Sequence, residues 1–308
     1  MHSPITHLAT DLAWSLWGEL GVPSVVRNHP CVVVDPEPLI LASPLIAQHD
    51  ARLRDEVWRW CAAHADRIST SRLKGLAKRA RPEVQGAFAA LAATLAATTP
   101  VKWPHPPDTA PWPRHPKPKP CTLHLERPSL LALRTRAMVG VGARADVLTA
   151  MLGLTDRWTR ASSLDHLGYS KRNVSRVLND LAEAGLLQQR GERNTLTFRV
   201  AERAPWESLL RTEDLTWQRW DLVLELVFAL LELETLADKP KAVQRVEGTK
   251  AQVELNAVAS NLDLPSPPDI RGSDAPVDLL LRWGEARLSI WTAGSGSDPK
   301  TPLPTPPS

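Results

Sequence analysis

Residues 158–200 read WTRASSLDHLGYSKRNVSRVLNDLAEAGLLQQRGERNTLTFRV, and this stretch decides the fold. It parses as a short helix, a tight turn at Gly168 and Tyr169, a longer helix, and a two-stranded ribbon. The ribbon's tip carries Arg190, Gly191, Glu192, Arg193 and Asn194. Ser170 stands where its hydroxyl can accept from the free amides of a first helical turn, so Lys171 is the expected first helical residue. Val174, Val177, Leu178 and Leu181 recur at i, i+3, i+4 and i+7, which gathers them on one buried face. The opposite face displays Arg172, Asn173, Ser175, Arg176 and Asn179. Gly185 ends the helix by taking a left-handed conformation. Leu187 then enters one strand, and Leu196, Phe198 and Val200 alternate on the next, with Thr197 and Arg199 on the other side.

That order of elements is the pattern of a winged helix-turn-helix. The run Val174, Ser175, Arg176, Leu178, Leu181, Gly185 and Leu186, followed by a basic ribbon, resembles the ArsR-like and MarR-like winged-helix regulators. Arg144–Leu154, RADVLTAMLGL, resembles the first helix of the same module. The resemblance covers roughly a quarter of the chain and concerns one module. It implies double-stranded DNA as partner. Arg and Asn can make paired hydrogen bonds to base edges in a major groove, and Ser and Lys suit phosphates. Arg172, Asn173, Ser175, Arg176 and Asn179 are therefore the expected groove residues, Ser170 and Lys171 the expected phosphate contacts. Arg190 and Arg193 on the wing are expected at the adjacent backbone or minor groove. The bland alternative is a solvated basic face on a module used for protein contact.

A chain of 308 residues has room for more than one core. The formal net charge of +3 is small, so affinity for nucleic acid must come from local patches. Cys31, Cys61 and Cys121 are far apart, show no metal-ligand spacing and fit a reducing cytoplasm. No signal peptide is evident, and the most apolar run, Leu222–Leu236, is interrupted by Glu225, Glu232 and Glu234, which argues against a membrane span.

The expected organisation is mainly α and multidomain. It comprises an N-terminal helical domain (1–99), a Pro-rich basic linker (100–127), the winged helix (128–205), a C-terminal helical region for dimerisation or packing (206–292) and a disordered tail (293–308). In the first part, Leu8, Leu12, Leu16 and Leu20 predict a helix ending near Gly21. Asp35 is the expected cap of a helix opened by Pro36 and Pro38, and Asp50 of the next. Ser69–Ala80, if helical, aligns Lys74, Lys78 and Arg81 as a basic stripe with Arg72 and Arg79 nearby. That stripe suits a solvated face better than base contact, because no amide or aromatic side chain is interleaved. The prolines of 100–120 exclude helix and central strand and predict a semi-rigid, solvated spacer. Trp217, Trp220, Leu224, Val227 and Leu231 predict an apolar stripe, with pairing to a second subunit slightly favoured over an intrachain core.

No phosphate-binding loop, dinucleotide fingerprint, zinc-binding helix or nucleophile elbow is present, so no catalytic residue, cofactor or metal is expected. His166 is expected to make a surface or backbone contact. The sequence thus points to a cytoplasmic DNA-binding transcriptional regulator, a repressor by preference, whose N-terminal region senses a ligand or holds a protein partner. An antitoxin-type or scaffold interaction protein is the alternative.

Overall fold

The computed structural model describes residues 4–23, 28–119, 121–154, 157–192, 195–212 and 215–294. The chain is mainly helical with a little sheet. Its first part runs α1 (Pro4–Glu19), β1 (Val32–Val33), α2 (Pro36–Ile46), α3 (Ala51–Ala63), α4 (Thr70–Ala77) and α5 (Pro82–Thr98). After the Pro-rich segment come α6 (Leu131–Val139), α7 (Ala143–Gly153), a 3-10 helix (Ala161–Leu167), α8 (Lys171–Glu183), β2 (Leu187–Glu192) and β3 (Thr195–Val200). The last part holds α9 (Ala204–Leu210), β4 (Thr216–Trp217), α10 (Trp220–Glu234), α11 (Lys241–Asn261) and α12 (Pro276–Ala293). Residues 295–308, most of the expected tail, lie outside the described residues.

The described residues fall into two compact units. The larger takes 17–23 and 29–218; the smaller takes 4–16, 28 and 219–294. This redraws the expected division. Helices α2 to α5, the Pro-rich segment and the helix-turn-hairpin stretch share the larger unit, whereas most of α1 belongs to the smaller one with α10, α11 and α12.

In the larger unit, Asp50 caps α3 by accepting from the Leu53 amide at 2.9 Å, as its position before the helix dictates. Asp35 occupies the equivalent place before α2 but makes no cap hydrogen bond. Its carboxylate turns to Arg72 instead. Val84, Phe88, Leu91 and Leu95 of α5 are buried, as their spacing predicts, and so are Leu39, Leu53, Val57 and Trp60 of α2 and α3, the helices that α5 packs on. The Trp60 indole N–H donates to the Leu20 carbonyl at 2.9 Å, and its ring meets Trp17 edge-on at 5.3 Å. Residues 32 and 33 pair in parallel with 216 and 217, so the apolar run at Cys31–Val34 is a strand in its short middle.

The Ser69–Ala80 stripe does not form. Helix α4 stops at Ala77, which breaks the register that would align Lys74 with Lys78 and Arg81. Arg72 is only 2% exposed and faces the interior. Arg79 donates to the Asp165 carbonyl at 2.7 Å.

The Pro-rich segment is largely exposed, as a solvated spacer would be, but it is anchored to the fold at several points. Trp103 is 4% exposed and its indole N–H donates to Thr99 Oγ1 at 3.1 Å. The Trp112 amide donates to Thr94 Oγ1 at 2.8 Å, and the Arg54 guanidinium lies 5.6 Å from the Trp112 ring centroid. The His115 ring stacks on Trp58 at 4.8 Å. Proline forbids helix and central strand, but an extended chain can still lie on a surface where aromatic side chains anchor it. The segment is a strap across α3 and α5.

The smaller unit packs α10, α11 and α12 together. Helix α10 is buried nearly all round, through Val223, Leu226, Val227, Leu230 and Leu233. Gly284 of α12 lets that helix approach closely, since a Cβ there would lie 2.3 Å from Leu230 Cδ2. The expectation that α10 offers its stripe to a second subunit is therefore corrected. Helices of its own chain cover it, as an element apolar on most faces requires.

Candidate nucleic-acid interface

The helix-turn-hairpin stretch is assembled on an aliphatic floor. Val174, Val177, Leu178 and Leu181 of α8 are buried together with Val147 and Met151 of α7 and Leu187, Phe198 and Val200 of the hairpin. Ser170 caps α8, its hydroxyl accepting from the Asn173 amide at 3.2 Å. Helix α8 starts at Lys171, where the sequence places it. Strands β2 and β3 pair antiparallel from Leu187 opposite Val200 to Glu192 opposite Thr195. Thr159 adds a bridge to Phe198, with N···O distances of 2.8 and 2.9 Å. The element before the turn is a 3-10 helix with a non-helical Leu164 inside it, not a regular α-helix.

The turn is held tightly. Gly168 has φ = +78°, a conformation that resists a side chain, and it meets Gly75 of α4 almost backbone to backbone. A Cβ on Gly75 would lie 1.8 Å from the Gly168 carbonyl oxygen. Tyr169 turns inward beside this contact. Its hydroxyl donates to Asp146 Oδ2 at 2.6 Å and lies 2.8 Å from Ser69 Oγ.

Tyr169 thereby joins a buried ion network. Arg136 is 1% exposed and grips Glu37 with two bonds of 2.6 Å, from Nη1 to Oε1 and from Nη2 to Oε2. It also donates from Nε and Nη2 to Asp146 Oδ1 at 2.9 and 2.7 Å. Arg72 spans Asp35 with a pair of bonds, donates to Glu37 Oε2 at 2.9 Å, and sends Nε to the Leu167 carbonyl at 2.9 Å, just before the turn. Such charges survive burial because each is paired and hydrogen-bonded. Burial alone would raise the Asp146 pKa, but Arg136, Arg72 and the Tyr169 hydroxyl together hold it below the ordinary aspartate range. Burial, then the Asp146 charge, pushes the Tyr169 phenol well above its usual value.

Tyr169 is the only tyrosine in the sequence, so its ionisation can be read directly. The folded phenol titrates above the unfolded one, so its contribution to stability is complete below the ordinary tyrosine pKa of about 10 and declines as pH rises past it. Ultraviolet difference spectra are expected to show no tyrosinate until the protein unfolds in alkali. A reversible native titration near pH 10 would contradict the burial.

The expected contact residues are only partly gathered on one face. Ser170, Lys171, Arg172 and Arg176 are exposed, and Asn173, Ser175 and Asn179 are half-buried beside them. Arg176 Nη2 sits 3.5 Å from Asn173 Oδ1, at the edge of hydrogen bonding. Arg190 is exposed on β2, and its guanidinium lies 5.8 Å from the Trp158 ring centroid. Arg193 lies outside the described residues. His166 Nδ1 contacts the Ser163 carbonyl at 3.1 Å, the backbone contact expected of it.

Two residues were not singled out from sequence. Arg199 lies 5.0 Å over the Trp158 ring and donates to Gln188 Oε1 at 2.8 Å, across the register that pairs these two residues. Trp158 thus takes two arginines on one ring, a cation–π arrangement that aligns the hairpin's basic side chains. Alternation on β3 placed Arg199 outward but gave no hint of its aromatic partner.

Comparison with family models, curated proteins and solved structures found no match. The candidate interface rests on geometry alone. Among the described residues no cluster of His, Cys, Asp and Glu could hold a metal ion, and no helix is long and apolar enough to cross a membrane.

Proposed function

We propose that residues 128–205 form a winged helix-turn-helix and that the protein binds double-stranded DNA in a sequence-specific way, as a transcriptional regulator acting by repression. The observation that carries this reading is α8. Its aliphatic side is fully buried while Lys171, Arg172 and Arg176 stand in solvent beside Asn173, Ser175 and Asn179. A helix supported on one side and bearing forked donors on the other is the form that enters a major groove.

Its neighbours support the same reading. Lys171 and the Ser170 hydroxyl stand at the start of α8, where backbone phosphates are met. Arg190 and Arg199 on Trp158 form a basic ridge beside the helix, fitted to the flanking backbone. Arginine on an aromatic face is held in place, so less side-chain freedom is lost when a phosphate is bound.

The test is selection from a random duplex pool with the full chain, followed by a salt titration on the selected sequence. One consensus is expected, with log affinity falling against log salt by about 0.9 per phosphate contacted. No enrichment together with a flat salt response would leave the basic face a solvated surface.

A further inference from the structure

The strap of residues 100–119 does more than cover α3 and α5. Arg59 Nε donates to the Lys117 carbonyl at 3.2 Å, and the strap leaves two cavities beside that contact. One, of about 610 Å³, is lined by Trp58, Ala62, Ala63, Pro100 and Pro118, with the stacked His115 at its edge. The other, of about 510 Å³, is lined by Arg52, Arg59, Lys119, Arg127, His124 and Glu56, with Gly21 and Val22 beside them. Arg59 and Lys119 line both, so the cavities are neighbouring lobes with cations between them.

The second lobe has four permanently cationic side chains and one carboxylate, Glu56. That carboxylate is engaged by Arg59 at 2.6 Å. His124 is faced by Glu126 at 3.2 Å, whose side chain is 64% exposed. Like charges converging on a walled cleft concentrate positive potential there and favour an anion over water. Arginine forks match phosphate and carboxylate oxygens in pairs. The adjoining lobe is apolar and aromatic, and each lobe has the volume of a small-molecule site.

We propose that the two lobes together bind an amphipathic organic anion. Its phosphate or carboxylate head sits among Arg52, Lys119 and Arg127, and its ring-sized apolar body lies against Ala62, Ala63, Pro100 and Pro118 at the edge of the strap. The proposal stands on the cavity alone and does not depend on DNA binding.

The probe is 8-anilinonaphthalene-1-sulfonate, an aromatic ring system carrying one anionic head, titrated into the full chain under native conditions. One molecule per chain is expected. Arg52 and Lys119 are exposed, so R52E with K119E should leave the fold intact, which circular dichroism checks. The double reversal is expected to weaken binding by about tenfold or more. Ala63→Trp, which fills the apolar lobe, is expected to weaken it as well. Phenyl phosphate or benzoate should displace the dye, the stronger competitor naming the head group. Absence of dye binding, unchanged affinity in R52E/K119E, or equal displacement by neutral benzyl alcohol would each overturn the proposal.

Discussion

Replacing Arg136 with Met is expected to lower the stability of the larger unit by about 3–5 kcal/mol. Arg136 is fully buried and is the common partner of Glu37 and Asp146. Without it two carboxylates remain inside with Arg72 as their chief cationic neighbour, and Arg72 is already shared with Asp35. The cost comes from the stranded charges, since an ion network as a whole is often no more stable than a well-packed apolar replacement. A loss of this size is a large share of the roughly 5–15 kcal/mol that holds a typical domain folded. Urea unfolding of R136M measures it. A change below about 1 kcal/mol would mean the network is replaceable by water.

The same network sets an acid limit. Asp146 has a lowered folded pKa, so its contribution is complete above the ordinary aspartate range and is lost as pH falls through the depressed value.

Replacing Arg172 and Arg176 together with Ala is expected to abolish specific DNA binding while leaving the melting temperature in place. Each paired contact to a base is worth about 1–3 kcal/mol, or roughly tenfold to a hundredfold in affinity. Both side chains are exposed, whereas the floor is formed by the buried Val174, Val177, Leu178 and Leu181. Lys171→Ala should instead weaken binding evenly across sequences and reduce the salt slope by about one. Gel-shift titration on the selected duplex separates the two behaviours. Full affinity in the double variant would remove α8 from the groove.

The sequence made α8 legible because everything that shapes it is local. A cap hydroxyl, a three-and-four apolar spacing and a terminating glycine lie within one short window, and each behaves as written. The failures share the opposite cause. Arg72 sits at a helical spacing that suggests a surface stripe, but its partners Asp35 and Glu37 lie far back in the chain, where periodicity carries no information. Prolines announce what 100–119 cannot form and are silent about what it lies on, so the Trp58–His115 stack went unseen. For α10 the apolar stripe was visible, but the identity of the surface covering it was not.

The contact between Gly75 and Gly168 leaves no room for either segment to slide. It sits beside Tyr169, whose hydroxyl reaches the pairing of Arg136 with Asp146. A seam with neither slack nor solvent makes its two sides open together or not at all, as one cooperative block in the sense of native-state exchange. The turn that leads into α8 is therefore tied to α4 through Gly75 and to Glu37 of α2 through Tyr169, Asp146 and Arg136. A residue changed among those early helices, outside the basic face itself, is expected to loosen the start of α8.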